Sequence, residues 1–345
     1  MPPERPADGP RRPRLTPAIA DARRAVREHL ADLTAGDLLL VALSGGPDSL
    51  ALAAAVAFEA PRAGLRAGAV IVDHGLQPGS AEVAERAAES ARDLGLDPVL
   101  VRRVDVGAAG GPEAAARAAR YGALDAAAAE LGAAAVLLGH TMDDQAETVL
   151  LGLARGSGTA SVAGMAAQAG LYRRPLLGLR RAVLAQACVD AGLAPWHDPH
   201  NGDDRFARVR VRRSILPLLE SELDAGATEA LARTAEIARE DSEALDRMVD
   251  EVAEELVELE EAGCSLPVDW LAANPAALRN RLIRLVARVE FGAALSRAQT
   301  LEVARLVTDW HGQKAVHLPG IRVERTAGRI VFTAAPEPAP SPADS

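Results

Sequence analysis

Six consecutive residues, Ser44, Gly45, Gly46, Pro47, Asp48 and Ser49, put two glycines, two hydroxyls and a carboxylate directly behind an apolar run at residues 37–43. Glycines let backbone amides approach an anion, and hydroxyls at the start of a helix add donors beside its positive end. With a strand-like run before it and a helix-like run (residues 50–59) after it, this loop suits phosphate better than a plain Gly/Ser turn. It lacks the lysine and spacing of G-x-x-x-x-G-K-[ST], so hydrolysis of a terminal phosphate is not its natural chemistry. Two further polar groups follow apolar runs: Asp73 and His74, and then Gly139 and His140 ahead of Asp143, Asp144, Glu147 and Thr148. On a helix starting near Asp143, residues 144, 147 and 148 stand at i, i+3 and i+4 on one face. The competing reading makes Asp143 the helix cap and leaves Asp144 and Glu147 favouring the helix dipole.

These groups need a scaffold, and the chain supplies one in alternation. Residues 37–43, 67–72, 98–104 and 134–138 are strand-like, while residues 50–59, 81–94, 113–131 and 144–153 are helix-like. Such alternation predicts an α/β fold, a doubly wound parallel sheet with helices on both faces. Ligands of such sheets bind beyond the carboxyl ends of the strands, where every polar group above falls. After about residue 220 the alternation stops. Apolar spacing then predicts a long helix over 228–262, two more near 275–289 and 296–310, and a terminal β-hairpin within 316–333. The expected organisation is a disordered arm at 1–17, an α/β domain carrying the phosphate loop at 18–222, a mainly helical domain at 223–335 and a disordered tail at 336–345. The acidic run Glu254, Glu255, Glu258, Glu260 and Glu261 reads as a solvated helix face.

Composition narrows the class further. With 345 residues and 49% hydrophobic content the chain can build two cores. A net charge of -10 argues against indiscriminate coating of nucleic acid. The two cysteines, Cys188 and Cys264, have no nearby Cys or His partner, so neither a disulfide framework nor a zinc site is expected. No apolar stretch is long enough to span a membrane and no signal-peptide pattern opens the chain, so a cytoplasmic protein without membrane contact is expected.

The loop string resembles that of the ATP pyrophosphatase superfamily, whose members cleave ATP between the α- and β-phosphates. The ordered set D-H-G-L (73–76), E-A-A-A-R-A-A-R-Y (113–121), G-H-T-M-D-D-Q-A-E-T (139–148), R-P-L-L (174–177) and W-H-D-P-H-N (196–201) resembles one branch of it, the tRNA(Ile)-lysidine synthetase family. The resemblance covers residues 37–220. It implies adenylation of C2 of cytidine 34 in the CAU anticodon of tRNA(Ile), then attack by L-lysine with release of AMP, using ATP and Mg2+. It implies that residues 44–49 hold the pyrophosphate, with Asp48 also on Mg2+, and that Asp73, His74, Gly139 and His140 border the nucleotide. Asp144 would be the catalytic carboxylate, assisted by Asp48 and Arg208, while Arg117, Arg120, Glu147, Asp198, Asn201, Arg205 and Arg212 would bind substrate or tRNA. Burial would raise the Asp144 pKa enough for it to take the lysine proton. A homodimer is compatible with the same resemblance.

Two positions depart from the family pattern: His200 stands where Ser is usual and Val209 where Asn is usual, so a contact the Asn side chain makes in relatives is absent or replaced here. An acidic protein must gather a local basic surface for tRNA, and Arg173, Arg174, Arg180 and Arg181 with Arg205, Arg208, Arg210, Arg212 and Arg213 are the expected one. Arg281, Arg284 and Arg288 form a second cationic stripe. The alternatives are a tRNA thiolase of the same superfamily, opposed by the lack of a C-x-x-C pair, and a non-catalytic ATP sensor, opposed by Asp144 and Glu147.

Overall fold

The computed structural model describes residues 15–75, 79–107, 111–156, 158–196, 198 and 202–335. Residues 1–14 of the expected arm, the tail, His200 and Asn201 lie outside that set, whereas Thr16 and Pro17, expected in the arm, cap and open a helix. The chain divides into two compact units, residues 1–236 and 237–345.

The first unit opens with α1 (Pro17–Glu28), capped by the Thr16 hydroxyl. The repeating elements follow: β1 (Leu38–Ala42), α2 (Pro47–Glu59), β2 (Arg66–Asp73), α3 (Ser80–Asp93), β3 (Val99–Arg103), α4 (Pro112–Leu131), β4 (Ala135–Leu138) and α5 (Met142–Arg155). A short α6 (Thr159–Val162), β5 (Gln168–Ala169), β6 (Tyr172–Arg173), α7 (Arg181–Asp190), α8 (Ala207–Arg210) and α9 (Leu216–Glu222) complete it. The strands form one sheet in the order β3-β2-β1-β4-β6-β5, parallel except where β5 meets β6.

Period-two burial explains both faces of this sheet. Leu39 and Val41 of β1 pack with Leu52 and Val56 of α2, Ala22 and Val26 of α1, and Leu184 of α7. Leu38 and Leu40 point the other way, onto Leu124, Ala127 and Ala128 of α4. The central strands β1, β2 and β4 are therefore covered on both sides, as their near-continuous apolar runs require. The chain reverses its winding between β1 and β4, and a crevice opens there at the carboxyl ends of the strands. Helix α2 borders it from one face and α4 from the other.

The helix α10 (Ala227–Leu256) begins in the first unit and ends in the second. The second unit continues with β7 (Glu258–Glu260), β8 (Gly263–Pro267), α11 (Val268–Ala273), α12 (Ala276–Phe291), α13 (Arg297–Thr308), β9 (Val316–Leu318), β10 (Ile321–Thr326) and β11 (Arg329–Ala334). Its sheet has five strands, β7-β8-β11-β10-β9, where the sequence suggested only a terminal hairpin in a mainly helical domain. The predicted helix over 228–262 stops at Leu256, and Glu258 and Glu260 belong to an exposed edge strand. An alternating run of three residues is too short to be separated from helix by its period. Phe332, Leu266, Leu282 and Ile283 anchor this unit's own core.

Candidate functional site

The loop of residues 44–49 is shaped before any ligand reaches it. Gly45 takes a φ of +81°, open to glycine at little cost, and Gly46 caps α2 without a side-chain acceptor. The first-turn amides of α2 therefore face the crevice at the positive end of the helix. Ser49 Oγ donates to the Gly46 carbonyl at 3.1 Å while accepting from the Ser44 amide at 3.2 Å, so Ser44 is the donor in the 3.0 Å pair between the two hydroxyls. The Trp196 amide donates to the Gly45 carbonyl at 2.9 Å and lays the segment before Asp198 on the loop. Gly139, at the end of β4, fits because a Cβ there would stand 3.1 Å from the Ser49 N and Cα.

Asp48 sits in the first turn of α2, with its Oδ1 buried and without a hydrogen bond. Burial pushes its carboxyl up to about 6, against the opposing pull of Arg181. An amide-lined anion cradle beside a spare carboxylate oxygen suits a nucleotide pyrophosphate and its accompanying cation.

A lattice of ion pairs joins this loop to α5. Arg181 donates from Nε to Asp48 Oδ2 (3.1 Å) and from Nη2 to Asp144 Oδ1 (2.7 Å), with Nη1 3.5 Å from Glu147 Oε1. Arg212 grips Glu147 at both oxygens (2.6 and 3.1 Å) and reaches Asp144 Oδ1 at 3.4 Å. The other oxygen of Asp144 accepts from the Thr141 amide (2.8 Å) and hydroxyl (2.9 Å), which closes a capping box. Thr141, and not Asp143, is thus the cap of α5. Asp143 instead accepts from the Arg181 amide at 2.7 Å and fixes the start of α7.

This geometry corrects the expected proton acceptor. Burial raises Asp144, but Arg181, the Thr141 amide and His140 outweigh it and hold the carboxyl below the usual carboxylate range. Asp144 is an anion at neutral pH, and the raised carboxyl of the site is Asp48. Glu147, expected at the substrate, is 0% exposed with both oxygens gripped by Arg212, so it acts by holding that guanidinium.

A third group lies toward α4. Arg117 stacks on Tyr121 at 4.8 Å and Arg120 at 5.5 Å, and Tyr121 meets Tyr172 edge-on at 4.9 Å. Arg208 Nη2 reaches the Thr148 hydroxyl at 3.4 Å. His140 follows β4 and His74 follows β2, and both have a buried Nδ1 without a partner. Burial, reinforced by Arg120, Arg174 and Arg117, lowers His140 to about 3; burial and Arg120 lower His74. Both rings are neutral at pH 7. Burial pushes the Asp73 carboxyl up, but the Gly75 amide, the Ser80 hydroxyl and Arg103 hold it low, and its 2.9 Å bond from Gly75 pins the turn after β2.

Most of the sequence-expected residues therefore converge, but the expected basic surface does not survive as one. Arg173 is buried against Asp32, and Arg180 is consumed by Glu220, Glu229 and Asp143. Arg205 is 83% exposed and tied to Asp203. Arg210 donates to the Asp204 and Arg205 carbonyls, and Arg213 to that of Gly202. Arg281 pairs with Asp246. The functional residue the sequence reading misassigned is Arg181, placed on a surface although it sits among three carboxylates. Its only signal was its position at the start of a helix after R-P-L-L.

The sheet order, the switch-point crevice and the amide loop define a PP-loop ATP-binding domain, and a family model described as PP-loop domain matches residues 20–219. A second model, the TilS substrate binding domain, matches residues 266–331. A tRNA(Ile)-lysidine synthase from Leifsonia xyli is 61% identical over 87% of this chain and 91% of its own length. Namesakes from Thermobifida fusca (52%, over 92% and 98%) and Streptomyces coelicolor (53%, over 88% of each) are similar throughout. The chain belongs to the tRNA(Ile)-lysidine synthase family. Among solved structures, a U34-tRNA thiolase from Methanococcus maripaludis with its [4Fe-4S] cluster shares the fold at a TM-score of 0.55 and 18% identity, over 65% of this chain and 80% of that one.

Proposed function

We propose that this chain carries out the reaction its relatives are named for. The C2 oxygen of cytidine 34, in the CAU anticodon of tRNA(Ile), attacks the α-phosphorus of ATP and pyrophosphate leaves. The amine of L-lysine then attacks C2, the C2–O bond breaks, AMP departs and a lysine proton is lost. The observation that carries the reading is the lattice through which Arg181 and Arg212 bind the loop carboxylate Asp48 to Asp144 and Glu147.

Residues 44–49 would hold the pyrophosphate, with Asp48 toward Mg2+, which when bound neutralises charge on the phosphates. Asp73 and Gly139 would border the nucleotide. An O2-adenylated cytosine carries positive charge across its ring, and the ionised Asp144 is suited to stabilise that charge through both steps. Arg117, Arg120 and Arg208 would meet RNA, as would the segment holding Asp198. Among the described helices none is long and apolar enough to cross a membrane, which supports a cytoplasmic site of action.

The thiolase reading fares worse. A [4Fe-4S] cluster is held by several cysteine thiolates. The chain has two cysteines, Cys188 in the first unit's core and Cys264 in the second's, with burial pushing their thiols up to about 11 and about 12.

The test is incubation of the purified chain with ATP, Mg2+, lysine and a CAU-bearing isoleucine tRNA, following AMP release and lysine incorporation. AMP release that ignores tRNA, or none at all, would remove the reading. Sedimentation of the same preparation reports whether it acts as a homodimer.

A further inference from the structure

The crevice has two cationic regions of opposite character. On the α2 side every arginine is matched: Arg181 and Arg212 face Asp48, Asp144 and Glu147. On the α4 side, no described carboxylate forms a salt bridge with Arg120, Arg174 or Arg208, and the Nε of each is buried without a hydrogen bond. Arg174 is the clearest case. It is only 7% exposed; its guanidinium donates from Nη1 to the Ala166 carbonyl at 2.9 Å and otherwise meets the Tyr121 phenol, with no described carboxylate against it. Burying a guanidinium without a carboxylate is costly, so a fold that buries Arg174 and half-buries Arg120 and Arg208, beside two imidazoles with unpartnered Nδ1 atoms, has a use for an anion there.

The groups converge in space. Burial pushes the Tyr121 phenol up, yet Arg117, Arg174 and Arg120 together hold it below its ordinary value. Arg120 in turn feels Arg117 and Arg208, and His140 feels Arg120, Arg174 and Arg117. Helix α4 covers the sheet face opposite α2, so this cluster stands across the strand ends from the pyrophosphate loop. Asp144 lies between the two, its charge acting on His140 from one side and on Arg181 from the other.

We propose that Arg120, Arg174 and Arg208, with His74 and His140, form a second anion subsite that binds an RNA phosphodiester beside the target cytidine. The proposal rests on the functional reading above and adds to it a division of labour. The amide loop takes the anion of the nucleotide, and the unpaired cluster takes the anion of the RNA. A planar guanidinium can grip a phosphodiester by two bonds, and neutral imidazoles add N–H donors without further buried charge.

The test compares full-length wild type with Arg174→Met and Arg174→Lys. Binding is measured for ATP and for a CAU anticodon stem-loop RNA, in which each loop phosphate in turn is replaced by an uncharged methylphosphonate. Losing one buried charge-assisted contact should weaken RNA binding by about 10- to 100-fold in Arg174→Met and leave ATP binding unchanged. The slope of log affinity against log salt should fall by about 0.7. One methylphosphonate next to the target cytidine should cost wild type a similar factor and cost Arg174→Met nothing further. Arg174→Lys, which keeps the charge and loses the fork, should fall between. Loss of ATP affinity with RNA affinity intact would assign the cluster to the nucleotide and overturn the proposal. So would a wild type indifferent to every methylphosphonate, a result that needs no variant to fold. Thermal melting checks that the variants are intact. A wild type that releases no AMP with tRNA would instead overturn the functional reading, and the subsite with it.

Discussion

Asp48→Asn should make the protein more stable in the absence of nucleotide while removing its activity. The carboxyl is 20% exposed, and burial moves it from 3.8 to about 6 even though Arg181 donates to it at 3.1 Å. Folding therefore favours the protonated form. That contribution is whole below pH 3.8 and is lost as pH rises through about 6. At about 1.4 kcal/mol per pKa unit, the ionised carboxylate costs the folded state at most about 3 kcal/mol above pH 7. Asparagine keeps an acceptor for Arg181 without the charge, so the variant's advantage should be near zero at pH 4 and should reach about 1–3 kcal/mol at pH 8. The assay is urea denaturation at several pH values, followed through Trp196, whose amide is bonded to the loop, with Trp270 and Trp310 replaced by Phe. Mg2+ and ATP at about 100 times Kd should stabilise wild type by about 2.7 kcal/mol and the variant by much less. A variant less stable than wild type at pH 8, or an advantage that does not change with pH, would refute the claim that burial outweighs the Arg181 pair.

Gly139→Ala should weaken ATP binding by about tenfold or more, because the new methyl would press on the Ser49 backbone at 3.1 Å and shift the first turn of α2; calorimetric titration with ATP reads it. Asp144→Asn should cut lysine incorporation by about 100-fold or more while the protein stays folded, since a neutral amide no longer offsets charge on the activated cytosine; turnover near that of wild type would take Asp144 out of the mechanism. Phe332→Ala should destabilise the second unit by about 3–5 kcal/mol and leave ATP affinity unaltered, as its fully buried ring packs only within that unit's core; hydrogen exchange in each unit separates the effects.

The two-faced burial of β1, β2 and β4 follows from their composition. Leu38, Leu39, Leu40 and Val41 leave neither face polar, so helices must cover both, and the polar groups after each strand must share one edge of the sheet. The spacing that puts Asp144, Glu147 and Thr148 on one face is likewise a local property, fixed by the helix period. For the same reason the loop of residues 44–49 and the groups after β2 and β4 are legible as one site in the sequence. The second unit was less readable. Its short strands β7 and β8 carry too few residues to show a period; β8 becomes a strand by pairing with the distant β11, Arg329 facing Pro267 through Thr333 facing Gly263, and β7 then pairs with β8.

Charge was the property that sequence could count and only tertiary structure could place. Arg173, Arg174, Arg180 and Arg181 are near neighbours in the chain, yet one is buried on Asp32, one is unpaired in the crevice, one ties down α9 and α10, and one sits among three carboxylates. Asp48 and Asp144 have the same side chain and share Arg181, yet the first is pushed up and the second held down. The difference is the Thr141 amide and hydroxyl, which grip Asp144 and have no counterpart at the spare oxygen of Asp48. Residue type and spacing determined which atoms could do the chemistry. Long-range packing decided which of them carry charge, because a pKa depends on the partners and water that folding brings or removes.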